Sequence, residues 1–375
     1  MAAPLPHVCF VAINAYPLLA GDQEIPVVGG AELQQIIIAK ELVKRGHPVS
    51  MVCLDFGQPD NVVIDGIRVL KAYRPDEGVP ILRFFWPRLA SLWNCMKRTE
   101  ADVYYQRAAG MQTGVVAAFC KRHGKKSVFA VAGDPMIRLQ RDRLIYEYGA
   151  RHVDRIVVQT GVQAAQFRAE FGRESVLIPN CYLYTGAVVA TGARLSREVL
   201  WVSTIRDLKQ PEVFLDLATA FPHLQFRMIG GPGDDESALY DLIRARAAAL
   251  PNVMFSGFLP YSQVEDVFDD AAVFVNTSRT EGFPNTFLQA WARGIPTVSF
   301  FDSGARENGQ AVGRIVQSLD EMKGIVGGYM SDERMRTMEG KICRRYFEAN
   351  HTPNRVLDAY QQLFRNLLAV DSVCS

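Results

Sequence analysis

Residues 276–299, Asn-Thr-Ser-Arg-Thr-Glu-Gly-Phe-Pro-Asn-Thr-Phe-Leu-Gln-Ala-Trp-Ala-Arg-Gly-Ile-Pro-Thr-Val-Ser, form the stretch whose residue types and spacing point most directly to chemistry. Short apolar runs at 273–275 and 295–301 flank it, so the helix between them belongs to a strand-helix-strand unit. Pro284 suits the first helical turn, and Gly294 suits the left-handed position just past the last. Amide N–H groups at a helix start have no partner within the helix and attract anions. A sugar or phosphate beside Glu281 would therefore find donors and an acceptor together, the pairing that a nucleotide sugar needs.

Other residues could contribute to such a site. The run 203–212, Ser-Thr-Ile-Arg-Asp-Leu-Lys-Gln-Pro-Glu, follows an expected strand at 199–203 and carries Arg206 and Lys209. A guanidinium offers a planar fork and an ammonium a compact point charge, complementary ways of holding phosphate oxygens. The plainer alternative is a solvated pair neutralised by Asp207. Gly29 and Gly30 open the first long helix, where the lack of Cβ lets backbone approach a ligand; a flexible turn would look the same. Gly230-Gly-Pro-Gly233 reads as a tight turn after a strand. Asp134 ends a strand and reads as an acceptor-side or sugar contact, or as a helix N-cap. The six His residues are dispersed, and Asp-x-Asp and His-Glu-x-x-His are absent, so no close metal-ligand set is expected. The first strand leads into Asn14-Ala-Tyr-Pro17 rather than Gly-x-Gly-x-x-Gly, which argues against a Rossmann dehydrogenase.

These residues must be placed by repeated strand-helix units. Strands are expected at 7–13, 49–54, 103–106, 127–132 and 156–159, then at 199–203, 226–230, 253–257, 273–275 and 297–300, with helices between them. The turn-rich stretch 178–196 separates the two series, giving a first domain over 1–188 and a second over 189–353. The tail at 354–375 carries Leu357, Tyr360, Phe364 and Leu367 on one helical face. The 375 residues, 49% apolar, suffice for two cores. Lys plus Arg at 41 against Asp plus Glu at 40 gives no global reason to expect nucleic acid. Seven scattered cysteines without a Cys-x-x-Cys pair fit reduced thiols in a cytoplasmic setting. Neither a signal peptide nor a membrane span is apparent. Residues 81–98 put Leu82, Phe85, Leu89, Trp93 and Met96 on one helical face among basic residues. A helix covering the first sheet is the preferred reading; a weak membrane-surface contact at the inner face of the cell membrane is the other.

Glu281-Gly-Phe-Pro-Asn-Thr-Phe-Leu-Gln289 resembles the Glu-x7-Glu motif of the retaining GT-B-fold glycosyltransferases, with Gln in place of the second acid. The resemblance covers nearly the whole chain and is most specific around Glu281. It implies an α/β GT-B fold, with two Rossmann-like parallel-sheet domains facing a cleft and a C-terminal helix crossing back to the first domain. It implies that Glu281 and the amides of Gly282, Phe283, Pro284-Asn285 and Thr286 hold the transferred sugar and that Gln289 faces the ribose. Arg206 and Lys209 would neutralise the diphosphate, and Gly29 and Gly30 would approach it from the first domain. The His that many relatives carry near Asp134 is absent here. The expected activity is metal-independent, retaining transfer of a hexose from a UDP-, GDP- or ADP-sugar to a glycan or glycolipid hydroxyl, without a cofactor. The alternative is a non-catalytic nucleotide-sugar-binding subunit.

Overall fold

The computed structural model describes residues 5–22, 29–78, 84–133, 143–184, 186, 198–233 and 236–369. Asp134, residues 81–83 and much of the expected linker lie outside them. The chain divides into two compact units, Met1–Cys181 with Pro353–Ser375, and Tyr182–Thr352.

In the first unit, β1 (Val8–Val11), β2 (Val49–Cys53), β3 (Val62–Ile64), β4 (Ile67–Lys71), β5 (Val103–Arg107), β6 (Lys126–Ala130), β7 (Arg155–Val158) and β8 (Val176–Leu177) build one sheet. Its order is β3-β4-β2-β1-β5-β6-β7-β8. Every neighbouring pair is parallel except β3 and β4. Those two form a hairpin that the expected strands do not include, closed by Asp65 at φ 49° and Gly66 at φ 78°. Such a two-residue turn needs positive φ at both positions and matches the twist of the strands. The central strands are continuous buried runs, as in sheets covered on both faces.

The helix Pro353–Ala369 returns to this unit as the GT-B pattern implies. Val356, Leu357, Tyr360, Leu363, Phe364 and Leu367 recur at helical spacing and are buried with Phe10, Met51 and Tyr105 of the sheet. The hydroxyls of Tyr105 and Tyr360 meet at 3.0 Å, and Arg45 holds Asp358 at 2.6 Å and Gln361 at 2.7 Å.

One expected element is different. Regular helix over 81–98 begins only at Ala90 and runs to Thr99. Trp86 is extended (φ −138°, ψ 125°) and Pro87, which has no N–H to give, follows it. The face shared by Phe85 and Met96 in the sequence is thus broken. Leu92, Cys95 and Met96 pack on Cys9, Val11 and Val52, which is the sheet-covering role. No helix among the described residues is long and apolar enough to cross a membrane.

The second unit holds β9 (Glu198–Val202), β10 (Gln225–Ile229), β11 (Val253–Phe255), β12 (Ala271–Asn276) and β13 (Thr297–Ser299), then a small hairpin of β14 (Arg306–Glu307) and β15 (Gln310–Ala311), and β16 (Arg314–Ile315). Its main sheet has the order β11-β10-β9-β12-β13-β16 and is parallel throughout. The central pair β9 and β12 carries Val199, Leu200, Val273, Phe274 and Val275, all at 0% exposure, and forms the rigid base of the site described below.

The six cysteines among the described residues are all buried and free. Burial pushes the thiols of Cys9 and Cys181 up to about 12 and that of Cys95 to about 11. The thiolate is the reactive form, so a native thiol titration at pH 8 should find at most Cys374 reacting quickly, with the other six appearing only on denaturation. Two or more fast thiols in the native protein would contradict this packing.

Candidate active site

β9 and β12 lie side by side, and loops leaving the carboxyl ends of adjacent parallel strands are where open α/β sheets bind ligands. After β9, Arg206 leads into a 3-10 turn over Asp207–Lys209. After β12 come Asn276 and the loop to Pro284. The two segments are stitched together: the Arg279 N–H donates to the Leu208 carbonyl (3.0 Å), and the Thr277 hydroxyl donates to the Lys209 carbonyl (2.6 Å). Asp207 accepts from the Arg279 guanidinium at 2.9 Å, so the carboxylate beside the cationic pair is occupied by a third cation.

Lys209 is 8% exposed, and its ammonium donates to Glu281 Oε1. The Ser278 hydroxyl reaches the same oxygen at 2.8 Å and the Asn276 amide at 3.4 Å. The structure thus joins two of the residues singled out in the sequence, 72 positions apart, in a direct ion pair. Arg206 opens the same turn as Lys209, and its aliphatic stem lies on Gly233, where an added Cβ would stand 2.4 Å from Arg206 Cγ. Gly230 has a similar constraint, since a Cβ there would meet the Ser203 carbonyl oxygen at 1.9 Å. The glycine loop is therefore a close packing of two backbones, reinforced by Ile205 N–H to Gly231 (2.9 Å) and Gly233 N–H to Ile205 (3.0 Å).

Asn285–Ala292 is the helix that follows Glu281. Pro284 stands at its N-cap, extended at φ −69° and ψ 128°, one position before the expected helical turn; Gly294 is left-handed at φ 71°, as read from the sequence. Gly282, Asn285 and Thr286 are half-buried. Phe283 is buried, stacked on His351 with centroids 4.9 Å apart and edge-on to Trp291 at 5.9 Å. Its ring anchors the loop to the core.

Gln289 belongs to a second network. It is 3% exposed, and its amide donates to Glu265 Oε1 at 2.6 Å. The other oxygen of Glu265 receives the Tyr182 hydroxyl and the Arg293 guanidinium, the latter at 3.0 Å. Arg293 also holds Asp269 at 2.8 Å and lies over the Tyr184 ring at 4.8 Å. Burial, with the Glu265 carboxylate adding to it, pushes the phenols of Tyr182 and Tyr261 well above their usual range. Sequence reasoning missed Glu265 and Arg293, because nothing in their spacing marks two helices that meet.

Gly29 and Gly30 are in the first unit, where Gly29 precedes the helix Gly30–Lys44. A Cβ at Gly29 would stand 1.8 Å from Glu32 Oε2, so a side chain there would push the Glu32 carboxylate aside. The Glu32 carboxylate lies against its own helix start, and burial raises its pKa. Among the described residues, no group of three His, Cys, Asp or Glu side chains comes together as a metal-ligand set.

Residues 28–182 match the family described as Glycosyltransferase Family 4, and residues 196–326 match Glycosyl transferases group 1. The chain is 22% identical over 307 residues to a component of the phosphatidylinositol N-acetylglucosaminyltransferase of Arabidopsis thaliana, an alignment covering 77% of this chain and 68% of that protein. It is 26% identical over 176 residues to the mannosylfructose-phosphate synthase of Agrobacterium fabrum, covering 44% of this chain and 37% of that one. Among solved structures, sucrose-phosphate synthase from Thermosynechococcus elongatus superposes with a TM-score of 0.76 at 16% identity, over 97% of this chain and all of that one. Anabaena HepE, solved in complex with UDP and glucose, superposes at 0.75 and 15% identity, over 96% of this chain and 100% of its own. With a family 4 domain followed by a group 1 domain, on two parallel-sheet units of the GT-B fold, this chain is a glycosyltransferase.

Proposed function

We propose that this glycosyltransferase takes a hexose from a nucleotide-diphosphate sugar and passes it to a hydroxyl of a glycan or glycolipid acceptor, with retention at the anomeric carbon and without a metal ion. The observation that carries this reading is the Lys209–Glu281 pair at the carboxyl ends of β9 and β12. It sets a cation and an acceptor side by side, as a sugar joined to a diphosphate requires. Arg206, on the same turn, supplies the second cation. The UDP and glucose in the HepE structure support the donor class by analogy of fold.

In this reading, the bond between the anomeric carbon and the diphosphate oxygen breaks, and negative charge grows on the departing oxygen. Lys209 and Arg206 stabilise that charge, Glu281 accepts from sugar hydroxyls, and the backbone N–H groups of Gly282, Phe283, Asn285 and Thr286 complete the cradle. The acceptor oxygen attacks the same face, and its proton passes to the leaving phosphate oxygen. No side-chain base is needed. The two cations do the neutralising that a divalent ion does elsewhere, which is the ground for proposing metal independence.

Gln289 is assigned to the ribose side of the donor, as part of the unit it forms with Glu265. The amide supplies the N–H that the Glu265 carboxylate accepts; a Glu in its place would set two carboxylates against each other at this distance.

Incubation with UDP-, GDP- and ADP-hexoses should release nucleoside diphosphate from one of them, and faster with an acceptor glycan present; no release from any of the three would refute the donor reading. With that donor, Lys209→Ala and Arg206→Ala should each lower turnover by about 10²–10³-fold, and parental turnover in both would remove them from the mechanism. Gln289→Glu should destabilise the protein by about 1–3 kcal/mol at neutral pH. The new acid's folded pKa is raised above its unfolded value of about 4.3, so the penalty is absent below that value and grows as pH rises through the folded one. Thermal unfolding from pH 4 to pH 8 reads this directly, and a loss that does not vary with pH would rule out carboxylate repulsion.

A further inference from the structure

Strand β12 runs into three consecutive polar residues, Asn276, Thr277 and Ser278, at 5%, 0% and 1% exposure. Polar side chains buried to this degree need partners. A segment that served only to fill the core would carry apolar groups here. Each of the three instead reaches the Lys209–Glu281 pair. The Thr277 hydroxyl donates to the Lys209 carbonyl (2.6 Å) and accepts from the Trp201 indole N–H (2.9 Å), which fixes the hydroxyl in one orientation. The Ser278 hydroxyl donates to Glu281 Oε1 (2.8 Å). Asn276 accepts the Ser278 N–H with its amide oxygen (2.9 Å) and turns its NH₂ toward the same Glu281 oxygen (3.4 Å).

We propose that Asn276, Thr277 and Ser278 are positioning residues of the transfer reaction, setting the ammonium of Lys209 and the carboxylate of Glu281 in place before the donor arrives. The inference rests on the reading that those two charges act on the donor. Thr277 works through backbone: it ties the turn that carries Lys209 to the end of β12 and, through Trp201, to β9. A lysine has a long, flexible stem, so its fixed backbone sets the point from which the ammonium reaches, while burial and the bond to Glu281 hold the ammonium itself. Ser278 and Asn276 work on the carboxylate. Lys209, Ser278 and Asn276 all address Oε1, which presents Oε2 as the oxygen for a sugar hydroxyl. Misplacement by a fraction of an ångström is costly in such a site, because the charges must meet the transition state without reorganising.

The test compares Thr277→Val, Thr277→Ser, Ser278→Ala and Lys209→Ala in the full chain, with kcat, donor KM and thermal midpoint measured for each. Thr277→Val keeps the side-chain shape but deletes the hydroxyl, and Ser278→Ala deletes one donor without leaving a buried backbone group unpaired. Both should lower kcat by about 10–100-fold, with donor KM moving by less than about threefold. Thr277→Ser should recover most of the activity that valine loses. If Thr277→Val does not fold, Ser278→Ala decides. Folded variants with parental kcat, beside a crippled Lys209→Ala, would overturn the positioning role and leave the function intact. The same holds if serine at 277 is as poor as valine. Parental kcat in Lys209→Ala would instead bring down the parent reading and this inference with it.

Discussion

The second unit is organised around one electrostatic constraint: an ammonium and a carboxylate, both largely withdrawn from water, held in contact at the ends of two strands. A pair in such a position is only as good as the hydrogen bonds that satisfy the rest of each group, since desolvation otherwise exceeds the attraction. Here the satisfaction is built from β12 itself, whose last residue and the two that follow supply two donors to Glu281 and one to the backbone of Lys209. The apolar strands beneath them are fully buried, Leu200 in the cluster on one face of the sheet and Val273 and Val275 in the other, and such close packing resists displacement. The site is thus polar in its last few residues and rigid immediately below, the arrangement in which preorganised charges are most effective.

The first unit meets a different requirement, burying a charge that makes no direct ion pair among the described residues, though it acts on the nearby Glu32 carboxylate. Arg107, at the end of β5, is 6% exposed and uses Asn180 (2.6 Å) and the Tyr105 hydroxyl (3.5 Å). Tyr105 in turn meets Tyr360 of the returning helix, and Gln34 holds both the N–H and the carbonyl of Cys181. The point where the chain leaves this unit is therefore fixed by the unit's own polar core. On the other side of the crossing, the Tyr182 N–H donates to the His351 carbonyl (3.0 Å), so the outgoing and returning segments run together.

Much of this was legible in the residues. The central strands announced themselves as apolar runs bounded by turn residues, since burial on both faces erases alternation. The tail helix showed its buried face at 357, 360, 364 and 367. The hairpin of β3 and β4 carried a readable signal in Asp65-Gly66, but its short, half-exposed strands lack the apolar density that marks the others. The break at Trp86-Pro87 was also visible in type, and periodicity across it was misleading because a matching face does not restore a missing N–H. Lys209 with Glu281 could be suspected from motif and charge, whereas their contact could not, since it depends on β9 and β12 being neighbours. The anchoring of Phe283 on His351 was beyond reach for the same reason: the two are distant in sequence and meet through tertiary packing alone.

Gln289 shows how a motif read one position at a time can mislead. Taken alone, the amide where related sequences carry an acid looks like a loss. In the fold it faces Glu265, whose other oxygen is already engaged by Tyr182 and Arg293. Arg293 is shared with Asp269, so one guanidinium already answers two carboxylates. A third acid would have no cation left to meet among these groups, and low exposure would deny it water; an amide instead gives Glu265 the donor it lacks on that side. The residue at 289 is therefore set by the charge balance of two packed helices. In the proposed donor complex, the negative charge of this corner resides on Glu265, with Gln289 as its hydrogen-bonded neighbour.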